Sequence, residues 1–237
     1  MKKDLLILSG WASNEFLFHD LIHLLSKDYN VTLMEWNHIK NMCLIEKSAM
    51  DFFEKKDRVH IIGWSLGSLV ALKLLMDTPN KIGKVTLISG FSKFTSSKEY
   101  KIGWSKGIVK KMIKEMDMDH EILLKGFYKN MFSPREHDYY NTFLKNIGLS
   151  NFNKETLKIG LEYLMDRDFR EGLSKINHHV TLIHGTNDLI SPITSSIYLN
   201  DHIKHSILYE LKNVGHGPFY TNPVEVFKII KEEDDND

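Results

Sequence analysis

The segment Val59-His60-Ile61-Ile62-Gly63-Trp64-Ser65-Leu66-Gly67-Ser68-Leu69-Val70-Ala71 decides how this chain is read. A β-branched run leads into Gly-x-Ser-x-Gly, and an amphipathic stretch follows, so the pentapeptide falls on a strand-to-helix turn. That context is what a nucleophile elbow requires. Small residues at Gly63 and Gly67 let the backbone pass closely while the Ser65 hydroxyl projects from the C-terminal edge of a sheet. The helix start also offers unpaired N–H groups and a positive dipole end to a developing oxyanion. Without its context the pentapeptide is a weak signal, and a glycine-rich turn with an inert serine is the competing reading.

Working outward, short apolar runs recur at Leu5 to Leu8, Val31 to Trp36, Val59 to Ile62, Val85 to Ile88, Val180 to Ile183 and Ile207 to Leu211. Each is apolar on both faces, as buried parallel strands are. Between them lie amphipathic stretches at Phe16 to Leu25, Leu44 to Phe53, Leu66 to Met76 and Ile193 to Ile203. The alternation predicts an α/β fold: one mostly parallel central sheet with helices on both faces. It stops between roughly Phe91 and Lys175, where Ile108, Met112 and Met116, then Leu124, Phe127, Tyr128 and Met131, then Leu157, Leu161 and Leu164 fall at helical spacing. The expected organisation is a single domain, 1–237, with its core in 1–91 and 175–237 and a helical insertion over approximately 92–174. Pro134 should separate two helices of the insertion, because it disfavours a helical Ser133. The acidic end, Glu232 to Asp237, reads as a frayed, solvated tail.

Two further loops supply candidates for a proton relay. Gly215-His216-Gly217-Pro218-Phe219 follows the last predicted strand, and a histidine between glycines on a mobile, exposed loop suits a general base. Of the 12 histidines His216 is the best placed; His60, His178, His179 and His184 lie in or beside strands and read as structural or surface rings. Gly185-Thr186-Asn187-Asp188 follows the strand Val180 to Ile183, which brings Asp188 to the same sheet edge as Ser65 and His216. Asp188 could instead cap the helix beginning near Pro192, and Asp166 and Asp168 are alternative acids. The order Ser, Asp, His is one that this type of site uses. Its oxyanion donors should be the amides of Leu66, the residue after the serine, and of Trp11, in the loop Ser9-Gly10-Trp11 after the first strand.

Composition bounds the alternatives. With 237 residues and 42% hydrophobic content the chain can bury one sizeable core. Lys+Arg and Asp+Glu both number 31, so no global field argues for nucleic acid or membrane binding. Cys43 is the only cysteine, which excludes an internal disulfide and suits a reducing compartment. No apolar run is long enough for a signal peptide core or a membrane span, so a cytoplasmic protein is expected. The sequence shows no clustered metal ligands and no phosphate-cradling glycine loop, so neither metal nor cofactor is expected.

These motifs together resemble one branch of the α/β-hydrolases, the pimeloyl-acyl-carrier-protein methyl ester esterases of biotin synthesis (BioH). The resemblance rests on Ser9-Gly10-Trp11, Gly63-Trp64-Ser65-Leu66-Gly67, Gly160-Leu161-Glu162-Tyr163-Leu164 running on to Asp168-Phe169-Arg170, Gly185-Thr186-Asn187-Asp188, and Gly215-His216-Gly217-Pro218-Phe219. It implies Ser65, Asp188 and His216 as triad, the Trp11 and Leu66 amides as oxyanion hole, and Trp11 and Trp64 at the acyl site. It also implies an insertion acting as a lid and a substrate ester whose acyl chain rides on acyl carrier protein. Ser9 stands where the family usually has histidine, and Trp36-Asn37-His38-Ile39-Lys40 lacks the usual Pro-Gly-x-Gly turn. From Lys93 to Lys114 seven lysines face one glutamate, Glu99, a basic rim suited to an acidic carrier or simply a solvated helix face. A broad short-chain esterase, a lyase or acyltransferase on the same scaffold, and a binding protein that keeps the elbow for shape are the other functions such a chain could have.

Overall fold

The structure is a computed structural model, and it describes residues 2–53, 56 and 58–235. In chain order its elements are β1 (Lys3–Leu8), α1 (Glu15–Leu25), β2 (Tyr29–Met34), α2 (Met42–Phe52), β3 (Val59–Trp64), α3 (Leu66–Asp77) and β4 (Ile82–Ile88). There follow α4 (Lys106–Met131), α5 (His137–Asn146), α6 (Lys154–Asp166), β5 (Val180–Gly185), α7 (Thr194–His202), β6 (Ser206–Leu211), α8 (Pro218–Thr221) and α9 (Pro223–Asp235). The six strands form one sheet in the order β2-β1-β3-β4-β5-β6, and every neighbouring pair is parallel. A parallel sheet needs crossover helices on its faces, and the amphipathic stretches between the strands supply them. Asparagine side chains at Asn14, Asn41 and Asn153 accept backbone N–H groups at the starts of α1, α2 and α6, satisfying donors that the first turn leaves free.

The central strands are buried on both faces, whereas β2 and β6 are edges whose residues are mostly half-buried or exposed. Their apolar residues therefore reflect one covered face, not two. Helix α3, behind the elbow, is buried on nearly every side, which is why its sequence is apolar almost throughout.

Between β4 and β5 the regular elements are helices, joined by isolated β-bridges from Lys93 to Asp168 and from Thr95 to Trp104. Helix α4 is two helical stretches meeting at Asp119 (φ −155°, ψ 94°), whose carboxylate accepts the Ile122 N–H and starts the second stretch. Ser133 is extended (φ −68°, ψ 164°) before Pro134, as the proline demands. The packed face of the first stretch is Val109, Met112 and Met116; Ile108, expected on it, is 49% exposed. The acidic end also departs from expectation: Glu232 to Asp235 continue α9. The side chain of Asp234 is buried and accepts hydrogen bonds from the Tyr29 hydroxyl and the Lys3 ammonium. Residues 236 and 237 lie outside the described part.

Candidate active site

Everything chemical gathers at the C-terminal edge of the sheet. Ser65, after β3, has φ 53° and ψ −116°, and Ala12, Ser89 and Asn213, after β1, β4 and β6, also take positive φ. Among the described non-glycine residues only Arg58 does so elsewhere. Such strain persists only where the surrounding structure imposes it. At the elbow the reason is proximity: a Cβ on Gly67 would overlap the carbonyl of Leu8, and one on Gly63 would sit 2.7 Å from the Gly67 oxygen. The Ser65 amide is tied to the Ile88 carbonyl at 3.1 Å. Leu66 opens α3, so its N–H has no acceptor within the helix.

Asp188 and His216 meet although 28 residues apart, with Nδ1 of the imidazole 2.7 Å from Oδ2 of the carboxylate and both side chains wholly buried. Their loops are laced together: Thr186 N–H donates to Leu211 O and Asn187 N–H to Val214 O, each at 2.9 Å. The second carboxylate oxygen, Oδ1, accepts the N–H groups of Ile190 and Ser191 at 2.8 and 2.9 Å. Asp188 therefore both turns its own loop and holds the imidazole. Burial alone would raise its pKa, but the facing His216 and hydrogen bonds from His184 and His216 outweigh it and hold the carboxyl well below the usual range. Asp168, the alternative acid, is taken up by Lys93 at 2.6 Å and Arg170 at 2.8 Å, and Asp166 is exposed.

His216 is not on an exposed loop as expected; it is buried. Its N–H donates to Met131 O at 2.7 Å, and its carbonyl accepts from Trp64 Nε1 at 2.8 Å and Ser89 Oγ at 2.9 Å. Nε2 makes no hydrogen bond and is sealed from solvent. Ser65 Oγ is therefore not bonded to it, and the Trp64 ring, next in the chain to Ser65, lies 5.4 Å from the His216 ring.

The two tryptophans occupy different places. Trp64, which the resemblance puts at the acyl site, is buried edge-on against the stacked rings of Phe18 and Phe219 and spends its indole N–H on the His216 carbonyl. Trp11 borders a small cavity of about 20 Å³ that it shares with Leu66, Trp36, Leu157 and Gly160. Its Nε1 donates to Leu157 O of α6 at 2.8 Å, and α6 can approach because Gly160 lacks a Cβ, which would otherwise meet the indole at 2.5 Å. In the loop after β1, the Ser9 hydroxyl is buried and has no hydrogen-bond partner among the described residues. Instead Trp36 Nε1 donates to the Ser9 carbonyl at 2.8 Å and braces that loop.

Two residues take a place at the site that the sequence reading did not give them, one of them His184, which reads as a structural ring. His184, on β5, is wholly buried, with Nδ1 2.7 Å from Ser196 Oγ and Nε2 2.8 Å from Ser191 O and 3.2 Å from Asp188 Oδ2. Its place four residues before Asp188 was a usable signal. Glu136, in the insertion, is also buried, and its carboxylate accepts the Gly215 N–H at 2.8 Å. Nothing local in the sequence joins those two positions. Among the described residues no group of three or more His, Cys, Asp or Glu could hold a metal ion.

Known proteins share this arrangement of elements. The pimeloyl-[acyl-carrier protein] methyl ester esterase of Neisseria meningitidis serogroup C is 26% identical over 96% of this chain and 91% of its own. That of Nitrosomonas europaea is 23% identical over 93% and 91%. Among solved structures, an esterase from Exiguobacterium antarcticum superposes with a TM-score of 0.86 at 22% identity, over 98% of this chain and 91% of its own. A bromoperoxidase from Bacillus anthracis reaches the same score at 17% identity over the same shares, so the likeness of structures speaks for the fold alone. With the α/β-hydrolase fold model matching residues 55–223, around an elbow at Ser65 and an acid–imidazole pair at the same sheet edge, the chain belongs to the α/β-hydrolase family.

Proposed function

We propose that this chain is a serine carboxylic ester hydrolase with Ser65 as nucleophile, His216 as general base and Asp188 as the acid that orients it. The observation that carries this is the buried Asp188–His216 pair, whose Nδ1 is engaged by the carboxylate while Nε2 remains unbonded. Donation from Nδ1–H to Asp188 fixes the tautomer in which Nε2 carries a lone pair. As Ser65 Oγ attacks the acyl carbon, Nε2 takes its proton, and the amides of Leu66 and Trp11 hold the oxyanion. Collapse breaks the ester C–O bond, the leaving alkoxide takes the proton from His216, and the acyl chain stays on Ser65. Water, deprotonated by the same imidazole, then releases the acid and restores the serine.

The substrate in this reading is a methyl ester of a pimeloyl chain on acyl carrier protein, supported by the names of the relatives. Residues 92–174 then serve as a lid, since the cavity beside Trp11 and Leu66 is too small for an acyl chain until α6 moves. The carrier would meet the basic flank of α4, where Lys106, Lys110 and Lys111 are exposed; Lys93 is excluded from that face by its bond to Asp168. No described helix is long and apolar enough to cross a membrane, and a cytoplasmic location is part of the proposal.

Hydrolysis of short p-nitrophenyl esters by the native chain beside Ser65→Ala tests the chemistry. Turnover should fall by roughly 10⁴-fold or more in the variant, and a fluorophosphonate should label only the native serine. An unlabelled native chain, or equal turnover in both, would refute the proposal. Product analysis with a panel of methyl esters, with and without an acceptor alcohol, separates hydrolysis from acyl transfer.

A further inference from the structure

The insertion and the base loop are joined by an unusually dense set of bonds. Met131 O accepts the His216 N–H at 2.7 Å, Ser133 Oγ donates to Asn213 O at 2.6 Å, and Glu136 Oε2 accepts the Gly215 N–H at 2.8 Å. Glu136 Oε1 accepts the Thr221 hydroxyl, beyond the histidine. Glu136 thus binds Gly215, just before His216, and Thr221 of α8, after it, from a position 79 residues before Gly215.

Part of this carboxylate's role is local. It accepts the Ser133 N–H at 2.8 Å, closing a capping box at the turn that begins with Pro134. A capping box accounts for that bond and not for those to Gly215 and Thr221. Nor does a surface cap need to be buried, whereas Glu136 is only 6% exposed, and burying a carboxylate is costly unless its oxygens are filled. Here three donors fill them. Gly215 is the complementary adaptation: a Cβ there would overlap Met131 O and lie 2.9 Å from Glu136 Oε2, so only glycine lets the insertion come this close.

We infer that Glu136 is a positioning residue for His216, through which the insertion sets where the imidazole stands. The inference rests on His216 being the base. The same insertion also grips the loop after β1, through Tyr128 to Ala12 O at 2.6 Å and Trp11 to Leu157 O. Displacement of the insertion and misplacement of the catalytic groups are therefore one event.

The test compares kcat and KM for p-nitrophenyl butyrate, fluorophosphonate labelling and thermal midpoint in Glu136→Ala, Glu136→Asp and Glu136→Gln. Glutamine can present its oxygen to the Ser133 and Gly215 amides and its NH₂ to the Thr221 hydroxyl, so it should restore kcat to within about threefold. Alanine, and aspartate through its shorter reach, should lower kcat and the labelling rate by about 10- to 100-fold with KM changed less than about threefold, the size expected of a misplaced catalytic group. If the alanine chain does not fold, the aspartate chain carries the comparison. Native kcat in a folded Glu136→Ala or Glu136→Asp chain, or a loss that glutamine does not restore, overturns the inference. A native chain that neither turns over nor labels would instead fail the esterase reading itself.

Discussion

At the scale of single residues, the site is a problem of burying charge. Asp188 lies beneath protein on all sides, and it stays ionised because two imidazoles and two backbone amides face its oxygens. Its depressed pKa has a defined sign in stability. A carboxyl whose folded pKa lies below its unfolded value contributes stability above the unfolded value, and that contribution is lost as pH falls through the folded one. Urea unfolding should therefore show Asp188→Asn less stable than the native chain at pH 7, with the gap narrowing once pH falls below about 4, the unfolded aspartate value. A gap constant down to pH 2 would contradict the assignment. Asp188 was legible from its place after a strand; His184 reads correctly as a structural ring, and only its spacing of four residues before Asp188 hinted at the carboxylate it faces.

Elements meet at this edge through missing side chains. Gly67 lets α3 run against the end of β1, since a Cβ there would overlap the Leu8 carbonyl. Gly67→Ala should cost about 1–3 kcal/mol of stability, as overpacking does, and reduce turnover by tilting the elbow; chemical denaturation with esterase assay checks both. At the opposite edge, α9 is pinned by Asp234, which meets Lys3 and Tyr29 and has His60 Nδ1 at 3.2 Å. Asp234→Asn should lower stability by roughly 1.5–3 kcal/mol, the scale of hydrogen bonds to a charged group, without altering kcat. Every strand and the helices between them were legible, because period and burial coincide there. The acidic end misled because a run of like charges signals solvent, whereas one carboxylate of the run finds partners from β1, β2 and β3.

For the whole molecule, the decisive feature is that the insertion braces both the loop after β1 and the loop after β6. In the proposed function the insertion is a lid that moves to admit an acyl chain and returns to complete the site. Recognition of a carrier would then act on the lid's outer face. Neutralising Lys106, Lys110 and Lys111 to glutamine should slow hydrolysis of a carrier-linked ester by about tenfold at low salt, less at high salt, and leave p-nitrophenyl esters unchanged, because rim charges act mainly on encounter. Equal losses on both substrates would argue against docking at this surface.

The sequence by itself determined the sheet, the insertion's helical nature and the identities of Ser65, Asp188 and His216 as candidates, because each is written in local periodicity or in a short motif at a strand's end. Only the tertiary structure decided that His216 is buried, that Trp64 props its carbonyl and that Glu136 reaches the loop before it. Those facts depend on contacts between segments far apart in the chain, and such contacts leave no period and no spacing to read.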